Sequence, residues 1–240
     1  MGEEILFISD LHLDRKQPEI TQHFMQFIKT RAADARVLYI LGDLFEIWLG
    51  DDDPADEFRE LFTAIKQLSA SCEIFFLAGN RDFLVGPALA GRLGFEILHD
   101  GHIIQLGKNR TALMHGDALC TDDVEYQKFK TMVRNPHWQQ QFLAKPLAER
   151  RAISEGLRQQ SKDATRQKEL EITDVNAQAV DDCFERLGID LLIHGHTHRP
   201  AIHRLPKQRQ RIVLGDWHPQ PSYLSWQNGQ FSLIDARVQN

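Results

Sequence analysis

The sequence predicts an α/β fold, a largely parallel sheet covered by helices and interrupted by an all-helical insertion. Three observations carry that expectation. The first third alternates short apolar runs with helix-periodic stretches, as βαβ units do. From about Cys120 to Leu187 only helical periodicity remains. Strand patterns then return and continue to the end of the chain.

Ile5-Leu6-Phe7-Ile8 is a short apolar run, the signature of a buried strand. Pro18 opens a helix, with Ile20, Phe24, Phe27 and Ile28 on one face. Val37 to Leu41 is a second buried strand. Asp53-Pro54 reads as an N-cap and first-turn pair, and Phe58, Leu61, Phe62, Ile65 and Leu68 follow at helical spacing. The aspartates before Pro54 read as a solvated loop. Ile74 to Leu77 is a third strand. Ile103–Leu106 and Thr111–Met114 pair around Gly107-Lys108-Asn109. Leu191 to Ile193 is another buried strand, and two alternating strands flank the Asn228-Gly229 hairpin signal. The expected organisation is a body of residues 1–120 and 188–240, with residues 121–187 as a helical lid over the active site.

Composition narrows the function class. The chain has 240 residues, 42% of them hydrophobic and 26% charged, enough for a core without disulfides. Its net charge of −6 argues against a general nucleic-acid binder. No stretch approaches 18 uncharged apolar residues, so no transmembrane helix is expected. The acidic start, Met1-Gly2-Glu3-Glu4, does not read as a secretory signal. Cys72, Cys120 and Cys183 show no paired spacing and read as reduced thiols. Between Lys145 and Lys168 lie seven basic and three acidic residues, interspersed with Phe142, Leu143, Leu147, Ile153 and Leu157 nearby. Such a segment is either a solvated helix face or a lid that attracts an anionic ligand or leaflet.

Five polar segments sit just past buried strands. They are Asp10-Leu11-His12, Gly42-Asp43, Gly79-Asn80-Arg81-Asp82, His115-Gly116-Asp117 and His194-Gly195-His196-Thr197-His198. Loops at the ends of parallel strands converge on one crevice. Alternate residues, as in Asp10-x-His12 and His196-x-His198, point to one side of an extended chain. Oxygen and imidazole donors without thiolates suit Mn²⁺, Fe²⁺ or catalytic Zn²⁺. Four imidazoles, two carboxylates and one amide exceed the needs of one ion. If one aspartate bridges, they serve two ions about 3.5–4 Å apart, which can polarise a phosphoryl oxygen.

These motifs resemble those of the calcineurin-like metallophosphoesterases. The resemblance implies a four-layer α/β/β/α sandwich. It implies one metal on Asp10, His12, Asp43 and His198, and another on Asp43, Asn80, His115 and His196. Asp43, Asn80, Arg81 and His115 are then the catalytic set. Arg81 departs from many members, which carry histidine there as an acid for the leaving group. Arginine keeps its proton at neutral pH but grips phosphate oxygens, so a leaving phosphate suits this site better than an alkoxide.

Within that superfamily the chain is most similar to the diphosphatases of bacterial lipid A biosynthesis. The stretches that carry the similarity include Gly50–Pro54, Gly79–Leu84, Met114–Asp123, Asp174–Asn176 and Ile193–Ala201. It implies hydrolysis of UDP-2,3-diacylglucosamine at the α-phosphorus, with two Mn²⁺ per chain. It also implies a cytoplasmic protein resting peripherally on the inner membrane, and a monomer is expected. Substrate positions implied by the similarity are Asn80, Arg81, Asp123, Ser161, Thr165, Lys168 and His196. Thr165 stands where relatives often have asparagine. Tyr126 and Arg158 lie close to these positions and are expected as additional contacts. A soluble phosphodiesterase or nucleotidase on the same metal pair is the alternative, and a non-catalytic scaffold a third. An apolar groove in the insertion separates the first from the second.

Overall fold

The computed structural model describes residues 3–166 and 173–238, the side chains of residues 160–166 excepted. The chain runs β1 (Ile5–Ile8), α1 (Pro18–Lys29), β2 (Val37–Ile40), α2 (Arg59–Leu68), β3 (Glu73–Leu77), α3 (Pro87–Leu93) and β4 (Glu96–Leu98). A hairpin follows, β5 (His102–Leu106) and β6 (Asn109–Met114). Four helices come next: α4 (Val124–Val133), α5 (Pro136–Leu143), α6 (Leu147–Arg166) and α7 (Ala177–Leu187). The chain closes with β7 (Leu191–His194), β8 (Ala201–Arg204), β9 (Gln210–Val213), β10 (Tyr223–Gln227) and β11 (Gln230–Ile234).

The strands form two sheets, ordered β11-β10-β1-β2-β3-β4 and β5-β6-β7-β9-β8. β1 to β4 pair in parallel, as do β6, β7 and β9. Side-chain alternation explains the layers. Leu6, Ile8, Leu38, Ile40, Ile74 and Phe76 pack outward against the buried faces of α1, α2 and α3. Ile5, Phe7, Val37, Tyr39 and Leu77 point inward, onto Leu113, Leu191, Ile193 and Ile212 of the second sheet. Ala112, Met114 and Leu192 face the other way, onto Val180, Cys183 and Phe184 of α7. Helix, sheet, sheet, helix is therefore the order of layers. α7 lies within the 121–187 range expected for the insertion, yet it covers the second sheet. Helices α4 to α6 are the part that packs elsewhere, over the ends of the strands.

Several local readings need correction. Asp53 does not cap α2, which starts at Arg59. Its Oδ1 instead accepts from the Ala55 amide at 3.0 Å, in a turn that precedes a short 3-10 segment. Nor are the neighbouring aspartates merely solvated. Asp51 accepts from the Gly86 and Leu89 amides at 3.0 and 2.9 Å, capping α3 from 35 residues upstream. Asp52 takes both guanidinium nitrogens of Arg150, on α6. Arg150 is only 1% exposed and also donates to the Leu49 carbonyl at 2.6 Å. Asp53 pairs with Arg151 at 3.4 Å. One loop of the body thus clasps the insertion.

That clasp has a measurable worth. Arg150→Met removes charge-assisted hydrogen bonds and strands the Leu49 carbonyl, a loss of about 1.5–3 kcal/mol. Denaturant unfolding is expected to show that loss, and limited proteolysis faster cleavage within residues 121–166.

Candidate active site

The loops that leave β1, β2, β3, β6 and β7 meet at one edge of the sandwich. Backbone hydrogen bonds knit them together: Asp10 N to Gly42 O at 3.0 Å, His12 N to Asp43 O at 2.9 Å, and Gly195 N to His115 O at 2.8 Å. Asp10, His12, Asp43, His196 and His198 all carry positive φ, between 52° and 69°. Non-glycine residues pay about 1–2 kcal/mol each for that conformation, and it persists only where surroundings enforce it. Two glycines permit the crowding. A Cβ on Gly79 would lie 2.1 Å from Asp43 Oδ1, and one on Gly195 would lie 2.2 Å from Asp10 Oδ2.

Each aspartate commits one oxygen to the protein and turns the other inward. Asp10 Oδ2 accepts from Ser9 Oγ at 2.6 Å and His196 N at 2.9 Å. Its Oδ1 is buried and makes no hydrogen bond. Asp43 Oδ1 accepts from Arg81 N at 2.8 Å. Its Oδ2 lies 3.8 Å from His12 Nε2 and 3.7 Å from His115 Nε2. Around Asp10 Oδ1 stand His198 Nε2 at 3.4 Å and His12 Nε2 at 3.9 Å. On the other side, Asn80 Oδ1 lies 2.9 Å from both His115 Nε2 and His196 Nδ1. The Asn80 amide turned over would donate to those two nitrogens and to Asp43 Oδ2. The structure therefore gathers all seven expected donors: Asp10, His12 and His198 on one side, Asn80, His115 and His196 on the other, and Asp43 between. Two subsets converge tightly enough to hold an ion, Asp10–His12–His198 and Asp10–Asp43–His115.

The orphaned Asp10 oxygen is the test of fit. A buried carboxylate oxygen without a donor is costly, and a cation at that point resolves it. Oxygen and imidazole donors suit a borderline divalent metal. Electrostatics agree. Burial would raise the Asp10 carboxyl, but the neighbouring His198 and the charges of His115 and His12 hold it well below the usual carboxylate range. Burial and then His115 push His196 down to about 3, leaving a neutral imidazole. Burial would also lower His115, but Asp43, Asp10 and Asp117 carry it up to about 9.

Supporting groups fix this arrangement. His115 Nδ1 donates to the Leu41 carbonyl at 2.9 Å, which leaves Nε2 for the centre. Asp82 accepts from the Gly79 amide at 2.8 Å and the Leu44 amide at 2.7 Å, tying two of the loops together. His194 points its Nδ1 at the Gly195 carbonyl, 2.9 Å away, and its Nε2 meets Arg211. It supports the strand end and stands apart from the donor set. Glu46, which composition alone leaves as an ordinary loop residue, places its carboxylate 2.8 Å from His12 Nδ1.

The expected substrate positions fall in two groups. Asn80, Arg81, Asp123, Tyr126 and His196 line a cleft with His12, Asp43 and His198. Tyr126 spends its hydroxyl on Asp117 Oδ2 at 2.5 Å. Asp123 caps α4 through the Tyr126 amide at 3.0 Å. Lys168 lies outside the described residues. Ser161 and Thr165 belong to α6, and their side chains also lie outside the description. Asn80, Arg81 and Tyr126 are shared with a second cavity, between the body and α4 to α6. Trp48, Phe83, Leu84, Phe129, Val133, Trp138, Phe142 and Leu157 line it, with Arg158 and Glu46 beside the polar end. The sequence signal for the insertion half was the apolar residues among its basic ones. Trp48 comes from a body loop and gave none, and Phe83 and Leu84 stood out only as part of the Gly79–Leu84 similarity, with no sign of a cavity wall.

The Calcineurin-like phosphoesterase family model matches residues 4–200. The UDP-2,3-diacylglucosamine hydrolase of Xanthomonas axonopodis pv. citri (strain 306) is 48% identical over 230 residues, covering 91% of this chain and 93% of that one. The UDP-2,3-diacylglucosamine hydrolase of Chromohalobacter salexigens is 47% identical over 218 residues, 89% of each. Among solved structures, Vacuolar Protein Sorting 29 from Cryptosporidium parvum aligns with a TM-score of 0.49 at 13% identity, over 97% of this chain and 96% of that one.

The raised His115 has a consequence for metal binding. Below about pH 9 a divalent cation must displace its proton. Mn²⁺ affinity is therefore expected to rise with pH up to that point, by about tenfold per unit for each proton displaced. Titrations at several pH values check it; an affinity independent of pH contradicts it.

Proposed function

The chain belongs to the calcineurin-like phosphoesterase family, and from that premise we propose that it hydrolyses the pyrophosphate of UDP-2,3-diacylglucosamine. The products are UMP and 2,3-diacylglucosamine 1-phosphate, a step of lipid A biosynthesis. The observation that carries this reading is the junction of two unlike cavities. A cleft of buried carboxylates and imidazoles shares Asn80, Arg81 and Tyr126 with an apolar cavity. A diphosphate bearing two acyl chains needs both at once. A soluble nucleotide, the substrate of the alternative reading, needs only the first. A scaffold needs neither, and has no reason to keep seven strained or buried donors. The sequence likeness to the two hydrolases above supports the same substrate.

Asp10, His12, Asp43, Asn80, His115, His196 and His198 would hold the metal, two Mn²⁺ sharing Asp43. Bound divalent cations supply Lewis-acid polarisation of the phosphoryl group and lower the pKa of the attacking water. The chain's own groups do the rest. Arg81, at the rim common to both cavities, grips phosphate oxygens with its guanidinium. It cannot give up its proton, and the departing sugar phosphate does not require one. A new P–O bond forms at the α-phosphorus and the bridging P–O bond breaks, so UMP carries the oxygen from water. The aromatic walls of Phe83, Trp138 and Phe142 exclude water from the acyl chains.

Ser161, Thr165 and Lys168 are proposed to add donors at the sugar phosphate. Of the range expected for the lid, α4 to α6 take that part in this reading and form the acyl cavity, while α7 covers the second sheet. No helix among the described residues is long and apolar enough to cross a membrane. Val124, Met132 and Leu143 are exposed on α4 and α5, at 55%, 45% and 40%. They offer an apolar face for peripheral docking at the cytoplasmic side of the inner membrane.

The test is an assay of UMP release from UDP-diacylglucosamine beside UDP-glucose, with Mn²⁺. The diacyl substrate is expected to be strongly preferred. Asp43→Ala and His115→Ala are expected to abolish turnover with the fold intact. Leu157→Trp, which fills the apolar cavity, should raise KM for the diacyl substrate alone. Equal rates on both substrates would favour the soluble reading.

A further inference from the structure

Glu46 stands three residues after Asp43, on the loop that follows β2. Its amide donates to the Leu13 carbonyl at 3.1 Å, and Leu13 and Phe45 form an isolated bridge. The backbone is thus pinned beside the Asp10-x-His12 segment. Its two carboxylate oxygens then face opposite ways. Oε2 lies 2.8 Å from His12 Nδ1. Oε1 pairs with Nη2 of Arg158, from α6. Arg158 also lies 3.8 Å from Asp14 Oδ2. The side chains of His12 and Glu46 are each 13% exposed and that of Arg158 is 25%, so this chain of contacts is largely shielded from solvent.

The consequence is geometric. A carboxylate can only accept, so an Nδ1 facing Glu46 is the nitrogen that carries the proton, and the neutral ring then has its lone pair on Nε2. Nε2 is the atom that faces Asp10 Oδ1, Asp43 Oδ2 and His198 Nε2, the last at 3.3 Å. We propose that Glu46 is a positioning residue for His12, and that Arg158 couples the seating of α6 to the metal position formed by Asp10, His12 and His198. The inference rests on the metal-binding reading given above. It assigns Arg158 a task besides lining the acyl cavity: without its guanidinium, Glu46 is free to turn from His12 toward solvent. A well-seated insertion and a well-formed metal position are then one event.

Binding of Mn²⁺ alone to the full-length, substrate-free chain tests this, read from the EPR signal of free Mn²⁺. Glu46→Ala is expected to weaken one class of Mn²⁺ site by about 10–100-fold, the usual cost of losing a group that orients a ligand. Glu46→Gln keeps an acceptor for Nδ1 and the same shape, so it should fall between Glu46→Ala and the parent; it also carries the test if Glu46→Ala does not fold. Arg158→Met should weaken Mn²⁺ binding roughly three- to tenfold without any substrate present, because it acts one contact further out. His12→Gln is the reference. If it loses Mn²⁺ while both Glu46 variants bind as the parent does, the positioning role is overturned and the metal reading stands. If His12→Gln also binds as the parent does, the metal reading fails and this inference with it. If Arg158→Met changes only KM for substrate, the coupling to α6 is overturned.

Discussion

Buried electron pairs without matching protons are the constraint on which the rest of this molecule is arranged. Asp10 and Asp43 are almost wholly buried, and so is His115. Each aspartate satisfies one oxygen with backbone amides and presents the other to a space bounded by imidazole nitrogens and an amide. Water cannot relieve such a cluster as a cation can. Five donors in left-handed backbone conformations are part of the cost. Two parallel segments, packed face to face through an apolar layer, bring the necessary loops to one edge and hold them there.

The insertion is built into this arrangement rather than hung upon it. Arg134 of the α4 C-terminus donates to the Gly79 carbonyl at 2.8 Å, next to Asn80. Tyr126 and Lys130 of α4 hold Asp117, two residues after His115. Arg158 of α6 holds Glu46, and Arg150 holds the Leu49–Asp52 loop. Every one of these cations or hydroxyls meets a loop that carries, or adjoins, one of the seven clustered side chains. The apolar cavity forms between the same elements. The apolar cavity and the polar centre thus share one set of contacts.

Much of this was legible in the sequence, for physical reasons that differ by feature. β1, β2, β3 and β7 announced themselves as apolar runs, because a strand buried on both faces has no alternation. The buried face of α1 is the expected Ile20, Phe24, Phe27 and Ile28. The Asn228-Gly229 signal marks the β10–β11 turn, where both residues take positive φ. The seven donors were legible as a pattern because each follows a strand. What stayed hidden depends on long-range contact. α3 takes its cap from Asp51, far upstream. β4 is three residues long and β8 is half exposed, so neither shows a run. α7 looks like another insertion helix until its Val180, Cys183 and Phe184 are seen against the second sheet. Glu46 and the Asp51–Asp53 loop look solvated in sequence, since nothing local reveals that an arginine from the insertion will reach them.

In the proposed function the two donor groups, joined by Asp43, seat divalent ions side by side. Anomalous diffraction from crystals of the full chain soaked in Mn²⁺ addresses it directly. Two peaks are expected, about 3.5–4 Å apart, one among Asp10, His12 and His198 and the other among Asn80, His115 and His196, with Asp43 touching both. Peaks away from these side chains, or none at all in a crystal that retains activity, would contradict it.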